Sequence, residues 1–405
     1  MEPYDGFVFP NELHITWTVM IVLYPYITGM VAGAFIVSSF YHVFRMQKLK
    51  SIAKFALVSS FAFLCFATVP LLNHLGSPER AFNIMLTPNF SSAMSGFGFV
   101  YSFYMLIVVL EIWFCYRDEL IEKYHKSKGI VKSIFYIIIL GDTNTNENTR
   151  KFDKKLIIFL AGFGIPIACI LHGYVGFLFG SIKANLWWST PLMFIIFIFS
   201  AIVSGLSVLI FLYQFVHWLR KKSVDQECLD LMSKWLWGFM IIAVTLEMME
   251  ILSIAYENTE RWTILRQLID GKLKISYVYL QIGLFSIVPF LILSVTSLGK
   301  LNTKLKNFLI WMSSGMLLLQ VLFMRWNVVI GGQLVSKSMR GFTEYFPGFF
   351  SKEGLIVSLL IIIIPFLMLR QFDKIFPFFE KKEGGGTAPE AENSGSDQIK
   401  AVLPE

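Results

Sequence analysis

Three acidic side chains lie inside long apolar stretches of this 405-residue sequence. Glu111 lies in the third stretch, and Glu247 and Glu250 lie near the middle of the sixth. The i, i+3 spacing places Glu247 and Glu250 on one face of a helix. A carboxyl group in lipid is costly unless it is protonated, paired or facing water, so it is a functional candidate by default. The pattern predicts either a proton relay that links one membrane face to a buried site, carrying protons from or toward the inner side, or protonated acids that lock neighbouring helices together.

A second group of polar residues is predicted near the outer ends of the apolar stretches. Its members are His14, His74, Arg80, His172, Arg325 and Asn327. Tryptophans beside them are typical of a membrane-interface belt, and outer arginines can contact lipid headgroups. Histidine and arginine at a common depth also suit a quinone head, which needs hydrogen-bond partners, a titratable group and an apolar slot. The residue types alone therefore leave both alternatives open, an ordinary interfacial role and a quinone site.

Haem and iron–sulfur ligands are poorly represented. No apolar stretch contains two of the six histidines, as a cytochrome b-like bundle would require. His42 and His217 both lie near the predicted inner face, and together they could hold one haem. The four cysteines are spaced 50, 54 and 59 residues apart, whereas a cluster needs closely spaced thiolates and a disulfide framework needs a small secreted chain. They are Cys65, Cys115, Cys169 and Cys228. We expect no haem and no iron–sulfur cluster in this chain.

These residues must be positioned by helices in a membrane. The chain is 55% hydrophobic and 16% charged, against about 25% charged residues in soluble domains. That composition excludes a secreted module, a nucleic-acid binder and a cytosolic α/β enzyme. Nine stretches have the roughly 20 apolar residues that span a bilayer: about 15–44, 51–75, 97–117, 155–179, 190–218, 233–256, 276–298, 306–328 and 353–370. The shorter stretch 129–140 is expected to be an interfacial helix, and the first stretch to stay in the mature protein.

The distribution of basic residues predicts the orientation. With the N-terminus outside, 25 of the 35 Lys and Arg residues lie in inner segments and 10 lie in outer ones, as the positive-inside rule requires. The expected fold is an all-α polytopic membrane protein of two four-helix bundles plus a C-terminal helix, with a disordered cytoplasmic tail. The predicted segments are 1–14 (outer), 15–179 (first bundle, with inner interfacial segment 118–154), 190–328 (second bundle), 329–352 (outer loop), 353–372 (added helix) and 383–405 (tail).

Four segments carry a family resemblance. They are WTVMIVLYPYITGMVAGAFIVSSF (17–40), HLGSPERAF (74–82), HGYVGFLFGSIKANLWWSTPLMFIIFIFSAIVSG (172–205) and RWNVVIGGQLVSKSMRGF (325–342). The chain resembles, over its first eight spans, the NrfD/PsrC integral membrane subunits of polysulfide reductase and formate-linked nitrite reductase. It looks most like the larger members found in menaquinone reductase (Qrc) and sulfite-reduction-associated (Dsr) complexes. His74 stands where the family commonly has Asp, whereas the Arg80 position is kept.

The resemblance implies a quinone-binding subunit of a respiratory oxidoreductase in the cytoplasmic membrane, with no redox metal of its own. Such a subunit docks an iron–sulfur protein on its periplasmic face and exchanges electrons with menaquinone there. Multihaem cytochrome c or molybdopterin-type subunits are expected in the same complex. Buried acids in two bundles also suit an ion-coupled transporter, and a haem b membrane anchor is a further alternative.

Overall fold

Nine long apolar helices dominate the computed structural model, which describes residues 7–89 and 91–379. They are α1 (Val19–Phe44), α2 (Lys50–Ala67, continued by Val69–His74), α3 (Ala93–Lys126), α4 (Glu147–Gly180), α5 (Leu192–Leu219), α6 (Gln226–Glu257), α7 (Lys274–Leu298), α8 (Thr303–Val329) and α9 (Leu355–Ile375). Within the described ranges there is no β-strand. The nine predicted spans and the all-α fold are confirmed. The predicted tail 383–405 and the first six residues of segment 1–14 lie outside the described residues.

Several helices are longer or shorter than their apolar stretches. The stretch from residue 15 becomes helical only at Val19, because the Thr18 side chain caps the helix by accepting a hydrogen bond from the Met20 backbone. At their charged ends α3 and α4 continue beyond the apolar part, where i, i+4 ion pairs such as Lys126–Glu122 support the extra turns. The stretch 129–140 forms a separate short helix, Gly129–Ile138, with much exposed apolar surface.

The helix α1 lies at the centre of the molecule, and its most apolar 18-residue window is entirely buried. It packs against α2, α4, α5 and α8. Its closest approach is to α5, where a Cβ atom added to Gly33 would lie 2.7 Å from the Gly205 Cα. The small residues of Gly29-x3-Gly33 and Ala201-x3-Gly205 therefore allow two backbones to touch, as their spacing predicts.

We call the end of the molecule where α1 begins the N-face, and the end where it ends the opposite face. At the N-face, Gln333 holds Trp17 from two sides: its Oε1 accepts from the Trp17 backbone N at 3.0 Å, and its Nε2 donates to the Trp17 carbonyl at 3.0 Å. The loop before α9 closes over the same place, since the Val19 backbone N donates to the Tyr345 hydroxyl at 3.1 Å. This end of α1 is therefore anchored to distant parts of the chain.

A buried ion-pair network holds the segment between α3 and α4 at the opposite face. Arg117 donates to both Asp153 carboxylate oxygens at 3.0 Å, and it also pairs with Asp142. The indole of Trp113 donates to the Ile138 carbonyl at 2.8 Å. These contacts fix the short helix Gly129–Ile138 against α3, inside the segment 118–154.

Candidate functional site

A buried arginine and a buried histidine meet where α4, α5 and α8 come together. Arg325 of α8 is fully buried, and its Nη2 lies 2.9 Å from Nε2 of His172, which belongs to α4 and is also fully buried. The same Nη2 donates to the Ser200 hydroxyl of α5 at 2.5 Å. The guanidinium carbon lies 3.7 Å from the centroid of the Phe197 ring, within cation–π range. The sequence prediction placed His172 and Arg325 at one depth, and the structure brings them into direct contact.

The contact fixes the state of the imidazole. A guanidinium can only donate hydrogen bonds, so His172 Nε2 accepts and the neutral ring carries its proton on Nδ1. Among the described residues neither His172 Nδ1 nor Arg325 Nε has a hydrogen-bond partner. The partners of the guanidinium are His172, Ser200 and the Met324 sulfur, none of which is a carboxylate. Buried donors without acceptors are rare and call for an explanation such as a bound ligand or water.

Small residues on α1 and α5 leave room around this pair. A Cβ atom added to Gly29 would lie 3.3 Å from Cε1 of His172 and 3.1 Å from the Ser204 hydroxyl. The small-residue motifs of these helices thus have a second effect besides close packing. They keep the side of the imidazole that faces α1 free of larger side chains.

Aromatic rings cover the pair on its N-face side. Trp17 stacks on Trp188 with centroids 5.0 Å apart and planes 13° apart. Phe179 lies 5.3 Å from Trp188 and 5.7 Å from Phe197, and Phe197 in turn stacks on His172 at 5.8 Å. The Trp188 indole donates to the Val328 carbonyl at 2.5 Å, which fixes this cover to α8. The outer aromatic residues predicted from sequence therefore form a continuous apolar cap above the Arg325–His172 pair.

A second polar cluster surrounds Glu247 on α6. Its Oε2 accepts from Gln281 Nε2 at 2.9 Å, and both its oxygens lie 3.5 Å from Gln320 Nε2. Gln281 Oε1 accepts from Asn327 at 2.7 Å, and Asn327 Oδ1 accepts from the Ser276 hydroxyl at 2.7 Å. The residues form an unbroken hydrogen-bonded chain from Ser276 near the N-face to Glu247. Gln281 lies in the π-helical first part of α7, Lys274–Ile287, and such segments often occur at functional sites.

A small cavity lies beside this chain. Its lining includes Glu247, Glu250, Tyr277, Gln281 and Asn327. The cavity volume is about 20 Å³, which is enough for one water molecule. One carboxylate oxygen of Glu250 has no partner among the described residues. The predicted pair Glu247 and Glu250 thus shares one polar cavity.

Glu111 lies apart from both clusters. It is fully buried in α3, and neither of its carboxylate oxygens has a partner among the described residues. One turn later along α3, the Cys115 sulfur lies 3.9 Å from His42 Nε2 of α1. One turn back from that contact, α3 carries Glu111 and α1 carries Ser38. The Ser38 hydroxyl is also buried without a partner in the described chain.

The remaining predicted site residues lie at the N-face surface. His74 Nδ1 lies 2.9 Å from Glu353 Oε2, which also accepts from the Thr18 hydroxyl. Partial burial raises the pKa of Glu353, but the hydrogen bonds from Thr18 and His74 and the nearby positive charges outweigh it, so that the pKa is lowered overall. His14 and Arg80 are exposed. The six residues predicted for one outer site therefore separate into the buried Arg325–His172 pair, Asn327 beside Glu247, and three surface residues.

Sequence reasoning did not select several residues that complete these clusters. Gln281 and Gln320 lie inside apolar stretches. Since a polar amide is as unusual there as an acid, their residue types alone could have marked them as site candidates. Ser200 has a small side chain of the kind that serves helix packing, so its type gave no sign of its bond to Arg325. Glu353 gave no local signal, because its partner His74 is 279 residues away.

Comparison with known proteins gives a consistent relationship. The family described as Polysulphide reductase, NrfD, matches residues 10–337. The chain is 30% identical over 384 residues to a selenate reductase subunit of Mesobacillus selenatarsenatis, covering 91% of this chain and 87% of that protein. It is 26% identical over 288 residues to a putative dimethyl sulfoxide reductase membrane subunit of Halobacterium salinarum, with 70% and 63% covered. It is 23% identical over 352 residues to the Hdr-like menaquinol oxidoreductase integral membrane subunit of Archaeoglobus fulgidus, with 85% and 77% covered.

Proposed function

This chain belongs to the NrfD family of polysulphide reductase, and from that premise we propose that it is the quinone-binding membrane subunit of a respiratory oxidoreductase complex. Its relatives are membrane subunits of reductase and oxidoreductase complexes, so the chain is a multi-pass membrane protein related to such subunits. The Archaeoglobus relative is named for a menaquinol oxidoreductase. We extend that chemistry to this chain and take menaquinone, bound as a substrate, to be the ligand.

The proposal rests on the buried contact between Arg325 and His172. Two buried donors without partners, His172 Nδ1–H and Arg325 Nε–H, would each be available to an oxygen of a bound quinone. The guanidinium would stabilise negative charge that develops on its oxygen during reduction, because its position is already fixed in a water-poor site. The neutral His172 would hold its Nδ1–H as a hydrogen bond to the quinone, while the protons taken up on reduction come from other groups. Because the aromatic cap covers the pair on its N-face side, such a ligand would enter from the bilayer.

Electrons are proposed to come from a partner subunit. Among the described residues, no group of three or more His, Cys, Asp or Glu side chains is placed to hold a metal ion. We propose that an iron–sulfur subunit docks on the N-face, within a complex that also contains multihaem cytochrome c or molybdopterin-type subunits. The N-face would be periplasmic and the opposite face cytoplasmic, which the excess of Lys and Arg in the opposite-face segments supports.

Glu111 is proposed to supply protons from the opposite face. It lies in the half of α3 nearer that face, one turn from the Cys115–His42 contact. A quinone that takes two electrons from the partner must also take two protons. If those protons come from the cytoplasmic side while the electrons come from the N-face, charge crosses the membrane.

Quinone turnover by the whole complex tests the proposal. We expect His172→Gln and Arg325→Gln to lower turnover with a menaquinone analogue by about 100-fold. Loss of one hydrogen-bond donor to a developing negative charge has an effect of this size in other enzymes. Arg266→Gln is the matched control, because Arg266 is exposed near the N-face and, within the described part of the chain, its salt bridge is to Asp270 one turn away. Wild-type turnover in both site variants, in complexes that assemble normally, would overturn the assignment.

A further inference from the structure

Glu247 and Glu250 on α6 form a site of their own. We propose that Glu247 and Glu250 bind one proton between them, and that this proton exchanges with the N-face and not with the opposite face. The inference rests on the proposed function in treating the N-face as the side of electron delivery. The site itself needs no quinone, so it can be tested separately.

The first argument is the shared cavity. Glu247 and Glu250 line the same water-sized space, which is otherwise bounded largely by apolar and aromatic side chains. Two carboxylates at one small apolar site cannot both be ionised without a large cost, so one retains a proton. Glu247 is held as an acceptor by Gln281, whereas Glu250 has a free oxygen in reach of the cavity. A water in the cavity would pass the proton between the two acids.

The charged and titratable groups around the pair come from three elements. Arg325 on α8 and Arg261, in the short helix after α6, are the cations whose charges act on the acids. Arg261 is already bound to the Leu186 and Ser189 carbonyls, and Arg325 to His172 and Ser200. The Tyr277 hydroxyl of α7 lies at the same cavity. Neither arginine forms a salt bridge with the acids in the described structure, so the pair is free to exchange a proton.

The second argument is the asymmetry of the surroundings along the membrane normal. Toward the N-face, the cavity lining continues through Asn327, Tyr277 and Trp187, and the chain of hydrogen bonds ends at the half-exposed Ser276. Toward the opposite face, successive turns of the same side of α6 present Ala243, Met240 and Leu236, all buried. These turns of α6 offer water no polar partner. We therefore take the N-face to be the side from which protons reach the pair.

The third argument is that the hydrogen bonds of the amide chain can run in either of two directions. With Glu247 ionised, Ser276 donates to Asn327, Asn327 donates to Gln281, and Gln281 donates to Glu247. With Glu247 protonated, rotation of both amides reverses every donor and acceptor while all bonds are kept. The protonation state of Glu247 is thus reported at Ser276 on the N-face without any break in the network.

Infrared difference spectroscopy of the full chain in proteoliposomes sorted by orientation tests the proposal. The C=O stretch of a buried carboxylic acid is followed while the pH of the outside buffer is changed rapidly. For the band that the double variant removes, we expect a fast response when the N-face points outward and none when it points inward. Glu250→Gln and the double variant Glu247→Gln/Glu250→Gln should remove the band. Glu257→Gln, at the exposed end of the same helix, should leave it unchanged.

A milder variant keeps the test informative if removal of an acid prevents folding. Gln320→Met deletes only the longer, 3.5 Å hydrogen bonds to Glu247 and should move the C=O band to higher frequency. The proposal would be overturned if the double variant removes no band, or if the band that it removes ignores pH or follows the buffer at the opposite face. A band of Glu111 would persist in the double variant and is thereby distinguished. None of these outcomes depends on quinone binding, so failure here is distinct from failure of the His172 and Arg325 variants.

Discussion

Arg325 and Asn327 are two residues apart on α8, and they point into different clusters. Positions i and i+2 do not share a face of a helix, so Arg325 reaches His172 while Asn327 reaches Gln281. On the same helix, Gln320 also approaches Glu247. One helix therefore supplies polar groups to both the proposed quinone site and the proposed proton site. A shift or rotation of α8 would change both sites together.

Replacing Arg325 with Met should separate function from stability. A buried guanidinium without a carboxylate partner carries a large desolvation cost, so its removal is expected to leave the free energy of unfolding unchanged or to increase it. Quinone turnover should nevertheless fall by about 100-fold. Thermal unfolding in detergent and turnover of the complex measure the two effects. A parallel loss of stability and turnover would instead indicate that Arg325 serves mainly to hold α4, α5 and α8 together.

Replacing Gly33 with Ala should push α1 and α5 apart. The added Cβ would lie 2.7 Å from the Gly205 Cα, against backbone that cannot rotate away. Overpacking of this kind costs about 1–3 kcal/mol, which we expect as a lowered Tm. Gly238→Ala in α6 is the matched control, because nothing lies within 4 Å of its added Cβ. There the gain in helix propensity, about 1 kcal/mol, should leave stability unchanged or higher; equal Tm values for both variants would contradict the close approach.

Replacing Gln333 with Ala should loosen the aromatic cap. Four hydrogen bonds disappear: two with the Trp17 backbone, one from Nε2 to the Val329 carbonyl at 2.8 Å, and a longer one from the Thr16 hydroxyl at 3.4 Å. Each is worth about 1 kcal/mol, so we expect a measurable fall in the free energy of unfolding. Quenching of tryptophan fluorescence by acrylamide should increase, because Trp17 no longer stacks firmly on Trp188. Unchanged quenching would show that the stack holds without Gln333.

The Glu353–His74 pair should make stability depend on pH. The pKa of Glu353 is lower in the folded chain than its ordinary value, so its stabilising effect is fully present above the unfolded pKa of about 4.3. That effect is lost as the pH falls through the lower, folded value. We expect Glu353→Gln to lower stability by up to about 1 kcal/mol at pH 7, and the difference from wild type to vanish in strong acid. Glu260→Gln, an exposed acid, should show no such pH-dependent difference; a constant deficit for Glu353→Gln at all pH values would exclude this origin.

The nine spans could be predicted because hydropathy depends only on local composition, whereas the grouping of site residues depends on how each helix is rotated. The depth of His172 followed from its distance along α4, and its contact with Arg325 needed only that depth and one shared interface. Asn327 was grouped with Arg325 by proximity in sequence, although the turn of the helix separates them. The Glu353–His74 pair requires two loops to meet across 279 residues, which no local pattern indicates.

The complete enclosure of α1 has a consequence for biogenesis. In the folded chain the buried window of α1 has no lipid neighbours, because it is surrounded by helices that are synthesised up to about 300 residues later. Until α5 and α8 have entered the bilayer, its glycine-rich surface must stay in contact with lipid or with the insertion machinery. Release of a finished protein should therefore wait for the eighth helix, and chains truncated before α8 should be substrates for membrane quality control.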